Sequence, residues 1–201
     1  MILRAIFFDL GGVILRTEYQ APRERLAERL NMTYEDINKI VFESETARKA
    51  SLGEVSVDEH WRAVMRRLRL PASEAKTIRA EFFAGDVIDR DLLNFIRSLR
   101  PRYKTGVISN AWGDLRDYIV KHQLDDAFDM LIISAEIGMM KPQPMIYQLA
   151  LKQARVEAKE AAFVDDTPKN VEAANALGMH GILFRDPAQV EENLKALLNH
   201  R

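Results

Sequence analysis

The sequence predicts an α/β protein: a parallel sheet flanked by helices, with a helical insertion between its first and second strands. Three observations predict it. Residues 5–14 form an apolar run of strand length, broken by one carboxylate, Asp9, and two glycines, Gly11 and Gly12. A run that is apolar on every side suits a central strand covered on both faces. From residue 89 onward, short apolar strands alternate with amphipathic helices, which calls for parallel strands joined by right-handed crossovers. Between these two regions, 16–85 carries helical periodicity alone.

The insertion reads as a bundle of four helices without a strand. Pro22 opens the first, with Leu26 and Leu30 on one face and charges on the other. Thr33 begins the second, because its hydroxyl can accept from orphan amides and Asp36 falls three residues on; Ile37, Ile40 and Val41 follow, and Gly53 closes the region. Ser56 caps the third, whose inward face is Trp61, Val64, Met65 and Leu68. Pro71 and Ser73 start the fourth, with Ile78, Phe82 and Phe83. Arg62, Arg66, Arg67 and Arg69 read as the solvated outer face of the third helix, since Glu59 is close by and no aromatic residues interleave with them.

Past the insertion, 92–99 reads as a helix ended by Pro101, 104–108 as a strand running into Ser109 and Asn110, and 115–120 as a helix. Strand 130–133, helix 146–154 and strand 161–164 come next, the last ending in Asp165 and Asp166. Helix 171–177 stops at Gly178, a favoured helix terminator. Strand 181–184 and a helix beginning at Pro187 complete the chain.

Composition narrows the chemistry. A length of 201 residues, 47% hydrophobic and 29% charged, suits one α/β domain or a core carrying a smaller insertion. A formal net charge of -1 supplies no global attraction to nucleic acid or anionic lipid. With no cysteine, disulfides, thiolate metal sites and cysteine nucleophiles are excluded. Asp9 interrupts the N-terminal apolar run, only Arg4 precedes it, and no small-residue cleavage site follows, so it is not read as a signal peptide. No stretch has the length of a transmembrane helix. The expected location is the cytoplasm, with neither nucleic acid nor membrane as partner.

The chemistry gathers at strand ends. Asp9, Ser109 and the Asp165–Asp166 pair each follow an apolar strand, and in a parallel sheet those ends share one edge. Lys141 follows the third strand of the sheet by a short loop. Clustered carboxylates repel one another unless a cation lies among them. Oxygen ligands without cysteine or paired histidine favour magnesium; His60, His122, His180 and His200 are scattered without ligand spacing. Lys141 and backbone amides near Gly12 and Asn110 suit a phosphoryl group, whose transfer depends on positioning and charge neutralisation. Each residue also has an ordinary structural use. Ser109 and Asn110 suit a helix cap, Lys141 a surface loop, and Asp165–Asp166 before Pro168 a helix start.

Taken together, four stretches resemble the haloacid dehalogenase superfamily over essentially the whole chain. Residues 7–13 (FFDLGGV) match its nucleophile motif, 108–110 (ISN) its serine motif, Lys141-Pro142 its lysine motif, and 163–166 (FVDD) its acidic motif. The resemblance implies a Rossmann-like core over 1–16 and 89–201, with a helical cap over 17–88. It implies that Asp9 is a nucleophile forming an aspartyl intermediate. Asp9, the Gly11 carbonyl and Asp166 would hold Mg2+, with Asp165 supporting or ligating through water. Ser109 and the Asn110 amide would bind the phosphoryl group of a small phosphorylated metabolite. Lys141 would neutralise charge, and the cap would close over the site.

One position departs from the family pattern. Most family phosphatases carry a second aspartate two residues after the nucleophile as general acid and base, and here that residue is Gly11. The sequence therefore resembles the Asp-Leu-Gly branch, which includes sugar-phosphate phosphatases and the phosphatase domain of soluble epoxide hydrolases. A 2-haloacid dehalogenase or phosphonate hydrolase on the same fold is the alternative, and a non-catalytic binding module a third. Dehalogenases need no metal, and a bare Asp165–Asp166 pair would repel a haloacid. A phosphonate hydrolase needs an imine-forming lysine, and Lys39, Lys49 and Lys76 lack apolar settings. A dead site would have lost Asp9, Lys141 or the acidic pair.

Overall fold

The computed structural model describes residues 3–100 and 102–199. Strand β1 (Ala5–Phe8) is fully buried. It ends sooner than the apolar run does, because the chain then curls: the Leu10 carbonyl accepts from the amides of Ile14 at 2.9 Å and Leu15 at 2.8 Å. Strand β2 (Leu15–Thr17) leads into the helical insertion, formed by α1 (Ala21–Arg29), α2 (Tyr34–Asn38), a π-helical turn (Lys39–Glu43), α3 (Glu45–Ser51), α4 (Val57–Leu68), a 3₁₀ turn (Ala72–Glu74) and α5 (Ala75–Phe82). Strand β3 (Asp86–Ile88) then pairs antiparallel with β2, Leu15 opposite Ile88 and Thr17 opposite Asp86.

Two expectations are corrected here. The insertion holds five α-helices where four were expected. The additional one is α3, whose N-cap is the Ser44 hydroxyl, accepting from the Ala47 amide at 3.3 Å. The β2–β3 ribbon was not expected: β2 takes the first residues of the stretch read as helix and β3 follows directly after it, since three-residue strands are too short to show a period of two. The caps expected at Thr33 and Ser56 are present, each as a reciprocal box, with Asp36 and Glu59. Leu26, Ile37, Trp61, Met65, Ile78 and Phe82 pack into a hydrophobic cluster belonging to the insertion, and Arg62, Arg66, Arg67 and Arg69 are all exposed.

Arg23, on α1, is buried within this region. Its guanidinium donates to the Phe82 carbonyl at 3.1 Å, Asn38 Oδ1 at 2.7 Å, Asp86 Oδ1 at 3.2 Å and Thr17 Oγ1 at 3.3 Å. It also lies 3.9 Å over the Phe82 ring. The fifth donor meets the Tyr34 hydroxyl at 3.5 Å, and full satisfaction of its donors is what makes such burial tolerable.

The core resumes with α6 (Arg90–Leu99), N-capped by Asp89. Pro101, expected to end it, lies outside the described residues. Next come β4 (Lys104–Ser109), α7 (Leu115–Lys121), β5 (Met130–Ile133), α8 (Ser134–Ile137) and α9 (Pro144–Ala154). The chain continues through β6 (Ala161–Asp165), α10 (Pro168–Ala176), β7 (His180–Leu183) and α11 (Pro187–Asn199). The five-stranded sheet has the order β5-β4-β1-β6-β7, with every pair parallel. Side chains alternate across it: Ile6, Phe8, Val107 and Val164 join the cluster over α6, whereas Phe7, Ile108, Ile132 and Phe163 join the one under α9. No helix among the described residues is long and apolar enough to cross a membrane.

The insertion rests on the core at a close backbone approach. Gly53 has φ +72°, and a Cβ there would lie 2.2 Å from the Ala135 carbonyl oxygen. Gly53→Ala therefore combines left-handed strain with a clash against rigid backbone. The expected loss is on the order of 2 kcal/mol of unfolding free energy by urea denaturation. An unchanged midpoint would show that this contact yields without cost.

Candidate active site

Register places the site. Phe8 pairs with Val107 on one side and Val164 on the other, so Asp9, Ser109 and Asp165 all emerge at the carboxyl edge of three adjacent strands. The Asp9 amide donates to the Val164 carbonyl at 2.8 Å, and its Oδ1 accepts from the Leu10 amide at 2.7 Å. Its Oδ2 faces Lys141 Nζ at 2.9 Å. Burial pushes the Asp9 carboxyl up to about 6, against the pull of Lys141 and with a further push from Asp165.

Lys141 has a wholly buried side chain and also meets Asp165 Oδ2 at 2.7 Å. Asp165 is equally buried, and its oxygens are occupied: Asn170 Nδ2 donates to both, at 3.0 and 3.1 Å, and the Thr167 amide donates to Oδ1 at 2.8 Å. Asp166 is different. It stands exposed at the rim and leans on Gly12, where a Cβ would lie 2.0 Å from its Oδ2. Only glycine leaves space for that carboxylate. Loss of water on its inner side, then the charge of Asp165, hold its carboxyl above the usual range.

Oxygens of Asp9, Asp165 and Asp166 lie within 4.8 Å of one another. One lysine faces three carboxylates, so two negative charges are left without a partner when all are ionised. A hard divalent cation fits this donor set, which contains no nitrogen or sulfur. His60, His122 and His180 lie on α4, after α7 and on β7, and none belongs to this carboxylate cluster; His200 lies outside the described residues.

Of the expected site residues, the structure brings Asp9, Lys141, Asp165 and Asp166 together, with Ser109 at the end of β4 and Gly11, Gly12 and Asn110 on the loops beside them. Two act differently from their reading. The Gly12 amide, expected to face substrate, donates to the Leu15 carbonyl at 2.9 Å inside the turn. Asn110, read for its main chain, also uses its side chain: Nδ2 donates to the Lys141 carbonyl at 2.9 Å, and Oδ1 accepts from the Lys141 amide at 2.7 Å. This two-way amide clamp holds the loop that carries the buried ammonium.

Further contributors were not read from sequence. Asn170, 7% exposed, gathers Asp165, and its carbonyl accepts from the Tyr147 hydroxyl at 3.0 Å. Its signal was a polar residue on the buried face of a helix start. Ser134, fully buried, fixes the loop after Ser109 through the Ala111 amide at 2.9 Å and the Ala111 carbonyl at 3.2 Å. The Asn110 side-chain clamp and the Ser134 contact carried no local signal, because their partners lie 31 and 23 residues away.

Carboxylates and one lysine thus gather at the edge of an open parallel sheet, and comparison with known proteins gives the family of the fold. The family profile described as haloacid dehalogenase-like hydrolase matches residues 3–178, and the chain belongs to that family. Bifunctional epoxide hydrolase 2 of Rattus norvegicus is 28% identical over 97% of this chain and 39% of its own length. The chain thus spans about two-fifths of those epoxide hydrolases. A D-ribitol-5-phosphate phosphatase of Bacteroides thetaiotaomicron is 24% identical over 98% of this chain and 100% of its own. Among solved structures, a haloacid dehalogenase family enzyme of the same bacterium, in complex with magnesium and inorganic phosphate, superposes with TM-score 0.76. It shares 21% identity and covers 91% of this chain and 94% of that one.

Proposed function

We propose that this protein is a magnesium-dependent phosphatase of small phosphomonoesters that works through an aspartyl phosphate on Asp9. In this reading 1–16 and 89–201 form the catalytic core and 17–88 the cap. The observation that carries it is the division of labour among the carboxylates. Asp165 takes four contacts, from Lys141, twice from Asn170 and from the Thr167 amide, whereas each Asp9 oxygen takes one, from the Leu10 amide and from Lys141, and Asp166 stands exposed at the rim.

The steps follow from chemistry at that edge. Ser109 and the Asn110 amide hold the phosphoryl oxygens, and Lys141 offsets charge between them and Asp9. An Asp9 oxygen attacks phosphorus, the bond to the leaving oxygen breaks, and that oxygen takes a proton from solvent. Water then attacks the aspartyl phosphate, releasing phosphate and restoring the carboxylate. Magnesium, held by Asp9, the Gly11 carbonyl and Asp166, would neutralise the transferring group. The cap excludes bulk water. Chelator is expected to stop hydrolysis of an aryl phosphate, and added magnesium to restore it. Full activity in chelator, with turnover of a 2-haloacid, would support the dehalogenase alternative instead.

Gly11 sets a preference. Without a positioned general acid, expelling a poor leaving group loses about 10²–10⁴-fold. Sugar 1-phosphates, acyl phosphates and aryl phosphates, whose leaving oxygens carry charge comfortably, are therefore expected over primary alkyl esters. The measurement is kcat/KM on glucose 1-phosphate against glucose 6-phosphate. A Cβ at residue 11 meets nothing within 4 Å, so Gly11→Asp has room and should raise the relative rate on the 6-phosphate. A wild-type preference for the 6-phosphate would mean that another group supplies the proton.

A further inference from the structure

On the phosphatase reading the phosphoryl group sits at Asp9 and Ser109, and the rest of a substrate would extend toward the seam between the sheet edge and the insertion. Trp112 enters that seam from the core, three residues after Ser109, a separation that spans at most about 11 Å of extended chain. From the insertion, Phe42 stacks on Trp112 at 6.0 Å and 27°, and Phe83 meets its edge at 6.3 Å and 75°. Phe42 and Phe83 touch at 6.0 Å, so the three rings form one aromatic face built from two parts of the fold.

Phe83 and Trp112 pack against the insertion's hydrophobic cluster, but packing does not account for Phe42. Phe42 is 48% exposed although it belongs to the π-helical turn Lys39–Glu43 beside a well-buried cluster. π-turns of this kind are frequent at functional positions. Charged groups near the rings are already paired: Arg79 with Asp114, and Arg23 with Asp86. His60, whose ring lies 4.6 Å from Trp112, is fully buried. The face therefore offers flat apolar surface in place of charge.

We propose that Phe42, Phe83 and Trp112 bind the leaving group of the substrate, and that this leaving group is a flat aromatic one. The inference rests on the phosphatase reading and narrows it: among the leaving groups that Gly11 tolerates, an aryl oxygen satisfies both the missing acid and the ring-lined seam. Stacking between aromatic surfaces supplies the affinity.

The test compares 1-naphthyl phosphate with acetyl phosphate, both of which depart without a general acid and only one of which carries rings. Phe42→Ala and Trp112→Leu are each expected to lower the ratio of kcat/KM, naphthyl to acetyl, about tenfold, chiefly through KM for the naphthyl ester. Phe42 is half exposed, so its replacement keeps the test valid should Trp112→Leu fail to fold. A wild-type protein that hydrolyses both esters, with a ratio moved less than about twofold by Phe42→Ala, overturns the inference alone. Magnesium-loaded protein that hydrolyses neither ester overturns the phosphatase reading, and this inference with it.

Discussion

Asp9→Asn is expected to lower turnover by at least about 10⁴-fold and, in the same molecule, to raise thermal stability at neutral pH. The loss follows from removing the attacking oxygen anion; an amide is a poor nucleophile. The gain follows from electrostatics. Burial pushes the Asp9 carboxyl up to about 6 from an ordinary 3.8, so the folded protein holds that proton more tightly than the unfolded chain does. Stability then falls as pH rises between those two values, and the full cost is present above the higher one. Asparagine resembles the protonated form and keeps an oxygen for the Leu10 amide, now 2.7 Å from Oδ1. Lys141 is left with Asp165 as a neutral buried pair. Melting curves in chelator should show the variant's advantage growing from about pH 4 to about pH 6 and levelling off above it. Retention of more than a few per cent of activity would remove Asp9 from the covalent role.

Lys141→Met should lose activity as well, with the opposite effect on stability. The substitution keeps much of the side chain's volume and deletes the charge that lies 2.9 Å from Asp9 and 2.7 Å from Asp165. Two carboxylates then remain buried without a counterion, a situation that costs about 3–5 kcal/mol when one member of a buried pair is removed. Urea denaturation at neutral pH measures it. A variant as stable as the wild type would show that solvent reaches these groups. The pair of variants tests one ion network from both sides, since removing a negative charge relieves it and removing the positive one exposes it.

Much of this was legible in the chain. The central strand, the alternation after residue 89 and the capping boxes at Thr33 and Ser56 each rest on local rules, where residue type and spacing determine backbone preference. Asp9, Lys141 and the acidic pair were legible because strand ends in a parallel sheet share an edge. What escaped was set by contacts distant in sequence or by elements too short for a period. The β2–β3 ribbon is made of three-residue strands. The Asn110 clamp joins residues 31 apart. Trp112 gave no hint that its ring would meet Phe42, because that meeting depends on how the insertion folds back. The Gly12 amide was assigned to ligand from its flexibility, whereas the turn uses the amide and the absent side chain makes space for Asp166.

The buried guanidinium of Arg23 determines which joint can bend. It binds Thr17 and Asp86, the facing residues of the two-stranded ribbon, as well as Asn38 and the Phe82 carbonyl within the helices. Separating helices from ribbon would strand a charge with unsatisfied donors, so these parts travel as one piece. Any swing over the site would then bend on the sheet side of the ribbon, in the curl at 10–14 and at Asp89, which are joined by the Asp89 amide donating to the Ile14 carbonyl at 2.8 Å. The curl begins one residue after Asp9. On the proposed mechanism such a movement would be geared to the peptide beside Asp9, so that substrate entry and nucleophile alignment would share one axle.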